Sequence, residues 1–347
     1  MSTIRIGVVG AGGNTRLHHI PKLKKIDGVE IASVVNRSRA SSERVAKEFG
    51  IPRIHESWQD LVNDPGIDAV VIGTWPYLHC PVTLAALAAG KHVLTEARMA
   101  MNAAEARQML AASRARPGLV TQVVPGPATF PADPLVMQLL AEGYIGELQA
   151  IDLRVSTGWL NRDGPLTWRL NRDYSGMNIL SMGIWYECLS RWVGPATAVV
   201  ARARTAVPYR MDEERGERRA VSVPDHVEVL ADLQNGAIAR FHWSSVAGFM
   251  PGPEVWVYGS EGTLRLEMRG RDNALSGGRR GDKEMKPIAI PADKTYSWRV
   301  EEEFIGAIRG QEPVRRTSFL DAVNYMDFTE AVHISSREGR RVYLPLE

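Results

Sequence analysis

The chain has little cysteine. Its two thiols, Cys80 and Cys188, are too few for a disulfide framework or a cysteine-rich metal centre. It also has little net charge: 42 Lys and Arg against 40 Asp and Glu leave +2. That balance gives no basic face for nucleic acid or for an acidic membrane surface. No apolar run approaches the roughly 20 residues needed to cross a bilayer, and the N-terminus enters an apolar strand without a charged leader. These absences point to a cytoplasmic globular protein whose partner is a small molecule, with no nucleic acid and no membrane. At 347 residues it is long enough for two cores.

What is present is a regular alternation of apolar strands and helices. "IRIGVVGAGGNTRLHHIPKL" reads as strand, glycine turn and helix, with Gly10, Gly12 and Gly13 at the turn. Two glycines so placed permit a tight turn and bring backbone N–H groups close to a pyrophosphate at a helix N-terminus. The usual dinucleotide pattern is G-x-G-x-x-G/A; here its third small residue falls at Thr15. "VEIASVVN", "IDAVVIGT" and "HVLTE" are further strands, separated by the helices "RASSERVAKEFG" and "CPVTLAALAAGK". Such alternation predicts a doubly wound parallel sheet, whose ligands bind beyond the carboxyl ends of the strands. Segments 10–15, 36–38, 74–79 and 95–98 fall there. The expected cofactor contacts are Gly10, Gly12, Gly13, Asn14, Thr15, Asn36, Arg37, Ser38, Thr74, Trp75, His79 and Glu96. At the end of the second strand Asn36 stands where an NAD site usually has an acid. Arg37 follows and suits a 2′-phosphate, so NADP is expected over NAD.

After residue 125 the pattern changes to longer alternating strands. "VEVLADLQNGAIARFHW" carries the hairpin signal Asn235-Gly236, and "VWVYGSEGTLRLEM" repeats the arrangement around 260–262. The expected division is a nucleotide-binding domain over 1–124 and a substrate-binding and oligomerisation domain over 125–347. The open face of the second sheet needs a cover, which predicts a homodimer or homotetramer through that sheet. "YRMDEERGERR" and "RGRDNALSGGRRGDK" are expected to be solvated loops, and no metal ligand set is expected.

In order and spacing, "GVVGAGGNTRLHHIPKL", "IDAVVIGTWPYLHCPVTLAALAAGKHVLTEARMA", "GYIGELQAIDLRV", "SGMNILSMGIWYECLSRWVG" and the strand set "DHVEVLADLQNGAIARFHWSSV…EVWVYGSEGTLRLE" resemble the Gfo/Idh/MocA oxidoreductase family over nearly the whole chain. The resemblance implies an α/β protein: an N-terminal Rossmann domain with a doubly wound parallel sheet, then a C-terminal α/β domain with a large, open, mostly antiparallel sheet. It also implies NAD(P)-dependent chemistry on sugars, inositols and related polyols.

Two motifs on which the family's chemistry depends are altered. In Glu-Lys-Pro, Glu96 is kept, but Ala97 takes the lysine position and Arg98 the proline position. Asp-x-Gly-x-His becomes Ser181-Met182-Gly183-Ile184-Trp185. A positioned acid–base contributes about 10²–10⁴-fold, so another proton path is expected. Candidates are His79, Tyr186 and Arg98, the last as an anion anchor because a guanidinium keeps its proton near neutral pH. Glu187 and Asp173 are further polar candidates. Trp168, Asn178, Ser181 and Trp185 are expected in the substrate pocket, and Trp75, Trp159 and Tyr174 near the cleft. Without proline, the peptide before Arg98 is expected to be trans, since a non-proline cis bond costs about 2.5–4 kcal/mol.

The function expected is an NAD(P)-dependent oxidoreductase acting on a small carbohydrate-like or carbonyl substrate with a non-standard acid–base set. The alternatives are a redox-neutral lyase or glycoside-cleaving enzyme with a retained nicotinamide cofactor, and a non-enzymatic NADP or ligand sensor.

Overall fold

A computed structural model describes residues 3–269 and 272–346. The chain forms two compact units: Met1–Pro125 with Asp173–Gly176 and Arg299–Met326, and Gly126–Arg172 with Met177–Trp298 and Asp327–Glu347. The first break lies one residue from the expected boundary. The two later segments that join the first unit have no counterpart in a division at one point.

The first unit is built on six strands: β1 Ile4–Val9, β2 Val29–Val35, β3 Arg53–Ile54, β4 Ala69–Ile72, β5 His92–Thr95 and β6 Thr121–Val123. They run in the order β3-β2-β1-β4-β5-β6, all parallel. The expected doubly wound sheet is therefore observed, and the strand order reverses between β1 and β4. β4 is apolar throughout because both its faces are covered: Val70 and Ile72 pack with Val82, Ala86 and Leu87 of the helix His79–Ala88. The helix Arg39–Phe49 begins where Ser38 accepts the Ser41 N–H at 3.3 Å. The short β3 and the helix Trp58–Asn63 complete the unit; neither is marked by a long apolar run.

The second unit holds a nine-stranded sheet and a two-stranded ribbon. Its strands are β7 Leu148–Ser156, β8 Ala196–Arg204, β9 Tyr209–Asp212, β10 Glu217–Ala220, β11 His226–Leu233, β12 Ile238–Ser244, β13 Glu254–Gly259, β14 Gly262–Arg269, β15 Asp272–Arg279, β16 Lys286–Ile288 and β17 Val342–Tyr343. The large sheet runs β16-β15-β14-β13-β7-β12-β11-β8-β17, and only β7 with β12 is parallel. Both expected hairpins are present. β11 turns into β12 at Gly236, whose φ of +85° suits a residue without Cβ, and β13 turns into β14. One face is apolar, carrying Val227, Val229, Phe241, Trp243, Val255 and Leu264, all buried. On the other, Val200, Leu230 and Ile238 are exposed beside Glu228 and Arg240.

Two stretches expected to be loops are strands instead. "YRMDEERGERR" forms β9 and β10, and much of "RGRDNALSGGRRGDK" forms β15, with Gly270 and Arg271 outside the described residues. Neither stretch has a clean apolar alternation. Backbone pairing to a neighbour, rather than burial of side chains, makes them strands.

Candidate active site

The carboxyl ends of β1, β2 and β4 enclose a cavity of about 560 Å³. Gly10, Ala11, Gly12, Asn36, Arg37, Thr74, Trp75 and Tyr77 are among its lining residues. The glycine turn is tight for steric reasons. Gly10 has φ +82°, and a Cβ there would lie 2.4 Å from Thr74 Cγ2 and 2.8 Å from Thr74 N. A Cβ on Gly73 would come within 2.0 Å of Thr15 Oγ1. Thr15 thus packs the start of the helical segment against β4, where the dinucleotide pattern has a small residue.

Asn36 spends its side chain on the turn. Its Oδ1 accepts the Ala11 N–H at 2.7 Å and its Nδ2 donates to Ser41 Oγ at 3.1 Å. Arg37 is exposed, with its guanidinium 5.8 Å from the centre of the Trp75 ring. Trp75 and Tyr77 both pack on Tyr174, at 4.7 and 5.5 Å between ring centres. Glycine backbone, an arginine and aromatic rings around a cavity of this size fit the phosphates and adenine of a dinucleotide. Gly10, Gly12, Asn36, Arg37, Thr74 and Trp75 of the expected contacts line it; Ser38 caps the adjacent helix.

The turn after β5 is anchored from several sides. Glu96 N donates to Ile72 O at 2.9 Å, and Met99 N donates to Tyr325 Oη at 2.6 Å. His79 is fully buried, with Nδ1 2.9 Å from Arg98 O and Nε2 3.0 Å from Thr74 O. Burial pulls its pKa below the ordinary histidine value, although both carbonyls oppose this. The ring ties the turn after β4 to the turn after β5. Arg98 is 4% exposed. The Ala97–Arg98 peptide is cis, which corrects the trans expectation. Hydrogen bonds at Glu96 N, Arg98 O and Met99 N flank the bond on both sides, a setting that the cost for an isolated peptide does not include.

Beside this turn lies a group that the sequence did not reveal. His19 ends a π-helical turn, Thr15–His19, and is wholly buried. Its Nδ1 is 2.6 Å from Glu301 Oε1 and its Nε2 is 3.0 Å from Glu96 Oε1. Asn14 Nδ2 donates to the same Glu96 oxygen at 2.5 Å. Burial disfavours the imidazolium, but the hydrogen bonds it donates to Glu301 and Glu96 outweigh this and raise the pKa to about 9. Glu96 is pushed up by burial and pulled further down by His19 and Asn14, so it ends below the usual carboxylate range. His19 is thus a cation between two anions. It holds Glu96 charged and in one orientation. Glu301 is 282 residues from His19, so no spacing pattern joins them.

In the second unit the altered motif opens the helix Met182–Val193, with Ser181 at its N-cap position. Asn178 is fully buried, Trp185 is 7% exposed, and Ser181 and Trp168 are partly buried. Trp168 carries Arg169 over its ring at 4.3 Å. Trp159 lies exposed against Phe249. Tyr186 faces the core: its ring stacks on Phe328 at 3.8 Å, and its hydroxyl accepts the Ala196 N–H at 2.8 Å. Burial pushes its pKa up to about 12. Glu187 accepts from Gly126 N at 2.5 Å and pairs with Arg191 at 2.7 Å, which makes it a structural anchor. Asp173 is exposed.

Residues 4–123 match the oxidoreductase family with an NAD-binding Rossmann fold, GFO/IDH/MocA, and residues 135–265 match that family's C-terminal domain. The trans-1,2-dihydrobenzene-1,2-diol dehydrogenase of Mus musculus is 32% identical over 270 residues, covering 76% of this chain and 74% of its own. The chain belongs to the GFO/IDH/MocA oxidoreductase family. It is an NAD(P)-dependent oxidoreductase. Another relative, 1,5-anhydro-D-fructose reductase of Ensifer adhaerens, is 32% identical over 265 residues, 75% of this chain and 74% of its own. A levoglucosan dehydrogenase structure, in complex with NADH and L-sorbose, shares the fold at a TM-score of 0.86 and 21% identity, covering 99% of both chains. The family assignment made on sequence motifs is borne out, as is the α/β fold class.

Proposed function

We propose that this oxidoreductase prefers NADP and interconverts a hydroxyl and a carbonyl on a small carbohydrate-like or cyclic diol substrate. The observation that carries the cofactor preference is Arg37 beside the cavity, with Asn36 in place of an acid and already committed to Ala11 and Ser41. A guanidinium pairs with a 2′-phosphate, whereas an acid at this position would repel it. Two relatives of at least 30% identity are named for a diol dehydrogenase and an anhydrosugar reductase, which supports the substrate class.

A bound nicotinamide supplies the hydride acceptor or donor. The chain's share is to bind and orient the reactants and to steady the charge that develops, while the hydroxyl proton exchanges with solvent water. Gly10 and Gly12, lacking side chains, leave room for the phosphates beside the turn that Asn36 holds through the Ala11 N–H, and Trp75 flanks Arg37 at the adenine end. Glu96, fixed by His19 and Asn14, orients the ribose side. Arg98 serves as the cation that steadies the substrate oxygen as charge develops; as a guanidinium it holds its proton rather than exchanging it. His79 and Tyr186 are assigned positioning roles, because hydrogen bonds already engage both ring nitrogens of the first and the hydroxyl of the second. The substrate side is assigned to Trp168, Asn178, Ser181 and Trp185.

Among the described residues no helix is long and apolar enough to cross a membrane. Both cysteines are free and buried, which supports a reducing, cytoplasmic setting. The exposed apolar side chains of Val200, Leu230 and Ile238 support a homodimer or homotetramer through the large sheet. The test is to mix the protein with NADPH or NADH and a panel of anhydrosugars, inosones and cyclic diones and follow nicotinamide absorbance. Turnover with NADPH on at least one such carbonyl supports the reading. Tight NADPH binding with no turnover on any of them overturns it in favour of a sensor.

A further inference from the structure

His226, Glu228 and His242 stand together on the outward face of the large sheet, on the two strands of the β11–β12 hairpin. We propose that they form a divalent transition-metal site. Strand geometry brings them together. His226 and Glu228 are i and i+2 on β11 and so share a face, and Glu228 pairs in register with His242 on β12. Each offers one donor atom, and the three atoms lie within 4.8 Å of one another. Glu228 Oε1 is 3.5 Å from His226 Nε2 and 2.5 Å from His242 Nδ1. Tetrahedral zinc, with bonds of about 2.0–2.2 Å, sets its ligands roughly 3.4 Å apart. The His226 contact already has that spacing, and a small opening at His242 brings the second to it.

A supporting contact is also present. His226 Nδ1 lies 3.2 Å from Ser244 Oγ, so it can donate there and leave Nε2 as the lone pair for a metal, the arrangement that outer-shell partners impose on metal-bound histidines. The rigid hairpin supplies all three donors, and Glu228 is half open to solvent, so an ion has an entry path. Two imidazoles and one carboxylate suit Zn²⁺, Ni²⁺ or Cu²⁺ better than Mg²⁺ or Ca²⁺, which prefer all-oxygen sets.

Neighbouring charges limit the affinity. Arg154 is in register with His242 on β7 but is engaged by Asp152 at 3.1 Å and Glu254 at 3.7 Å. Arg202 is in register with Glu228 on β8 and is exposed. The site is therefore open and reversible, with a fourth position for water, rather than a closed structural centre.

The test uses the full chain without an affinity tag, titrated with Zn²⁺ against a chromophoric chelator and with Co²⁺ for its visible spectrum. One equivalent per chain is expected, with a four-coordinate Co²⁺ band. His242→Asn and the solvent-facing Glu228→Gln should each weaken binding roughly tenfold or more. His55→Asn, at another histidine paired with an acid, should leave binding unchanged. Unaltered stoichiometry and affinity in a folded Glu228→Gln protein overturn the assignment, as does an octahedral Co²⁺ spectrum that matches free ion.

Discussion

His19 and Glu301 meet at 2.6 Å with both side chains wholly removed from solvent, although 282 residues separate them. The contact closes a chain that runs through the imidazole to Glu96, the one residue of the Glu-Lys-Pro pattern that this sequence keeps. Removing one partner of a buried ion pair strands the other charge, which costs about 3–5 kcal/mol. The arrangement therefore fixes both the protonation and the position of Glu96.

Its pH signature has a definite sign. The His19 pKa is about 9 in the folded protein against an ordinary value of 6.5. The stabilisation is fully present below the unfolded value and is lost as pH rises through about 9. A shift of this size corresponds to about 3 kcal/mol. Thermal unfolding of the protein and of His19→Gln should therefore differ most near pH 6 and converge by pH 10 (about one unit above the folded value). A difference in melting temperature that stays constant across that range would show that His19 is not the titrating group.

Arg37 should set cofactor choice. Charge-assisted hydrogen bonds contribute about 1.5–3 kcal/mol, roughly a tenfold to hundredfold effect. Arg37→Ala should raise the KM for NADPH by that factor and change the KM for NADH by less than about twofold. Equal losses with both cofactors would assign Arg37 to the adenine alone. Its 5.8 Å approach to Trp75 makes that a real alternative.

The glycine turn should tolerate nothing at position 10. Gly10→Ala places a Cβ against Thr74 N at 2.8 Å, backbone that cannot swing aside, and does so at φ +82°. Cofactor binding and melting temperature should both fall. Gly13→Ala meets nothing within 4 Å and should leave the melting temperature within a degree or two, as an exposed surface change does. Equal tolerance at both positions, read by thermal unfolding, would contradict the close packing of β1 on β4.

The first sheet was legible because buried parallel strands are apolar on both faces and glycines punctuate them. Asn235-Gly236 located the β11–β12 hairpin of the second sheet for the same local reason. The polar strands β9, β10 and β15 were hidden, since their pairing is a backbone property with little trace in side-chain pattern. Within the site, Gly10, Gly12, Arg37 and Trp75 could be placed from the turn positions they occupy. His19 with Glu301, and His226 with Glu228 and His242, could not. Those groups exist only once distant segments or neighbouring strands are brought side by side. Chemistry alone made Tyr186 a candidate acid; the direction of its helix face turned the ring inward.

That inward turn yields the last prediction. Tyr186 Oη accepts the N–H of Ala196, itself 5% exposed, and its ring lies 3.8 Å from that of Phe328. In Tyr186→Phe the stack survives, but a buried backbone donor loses its acceptor, at a cost of about 1–3 kcal/mol. The melting temperature should drop by several degrees, while kcat/KM at a temperature where the variant is folded stays within about twofold, since 1.4 kcal/mol would be needed for tenfold. A hundredfold loss of kcat with unchanged stability would show the opposite: that the hydroxyl moves a proton, and that the Ala196 contact is its resting partner rather than its purpose.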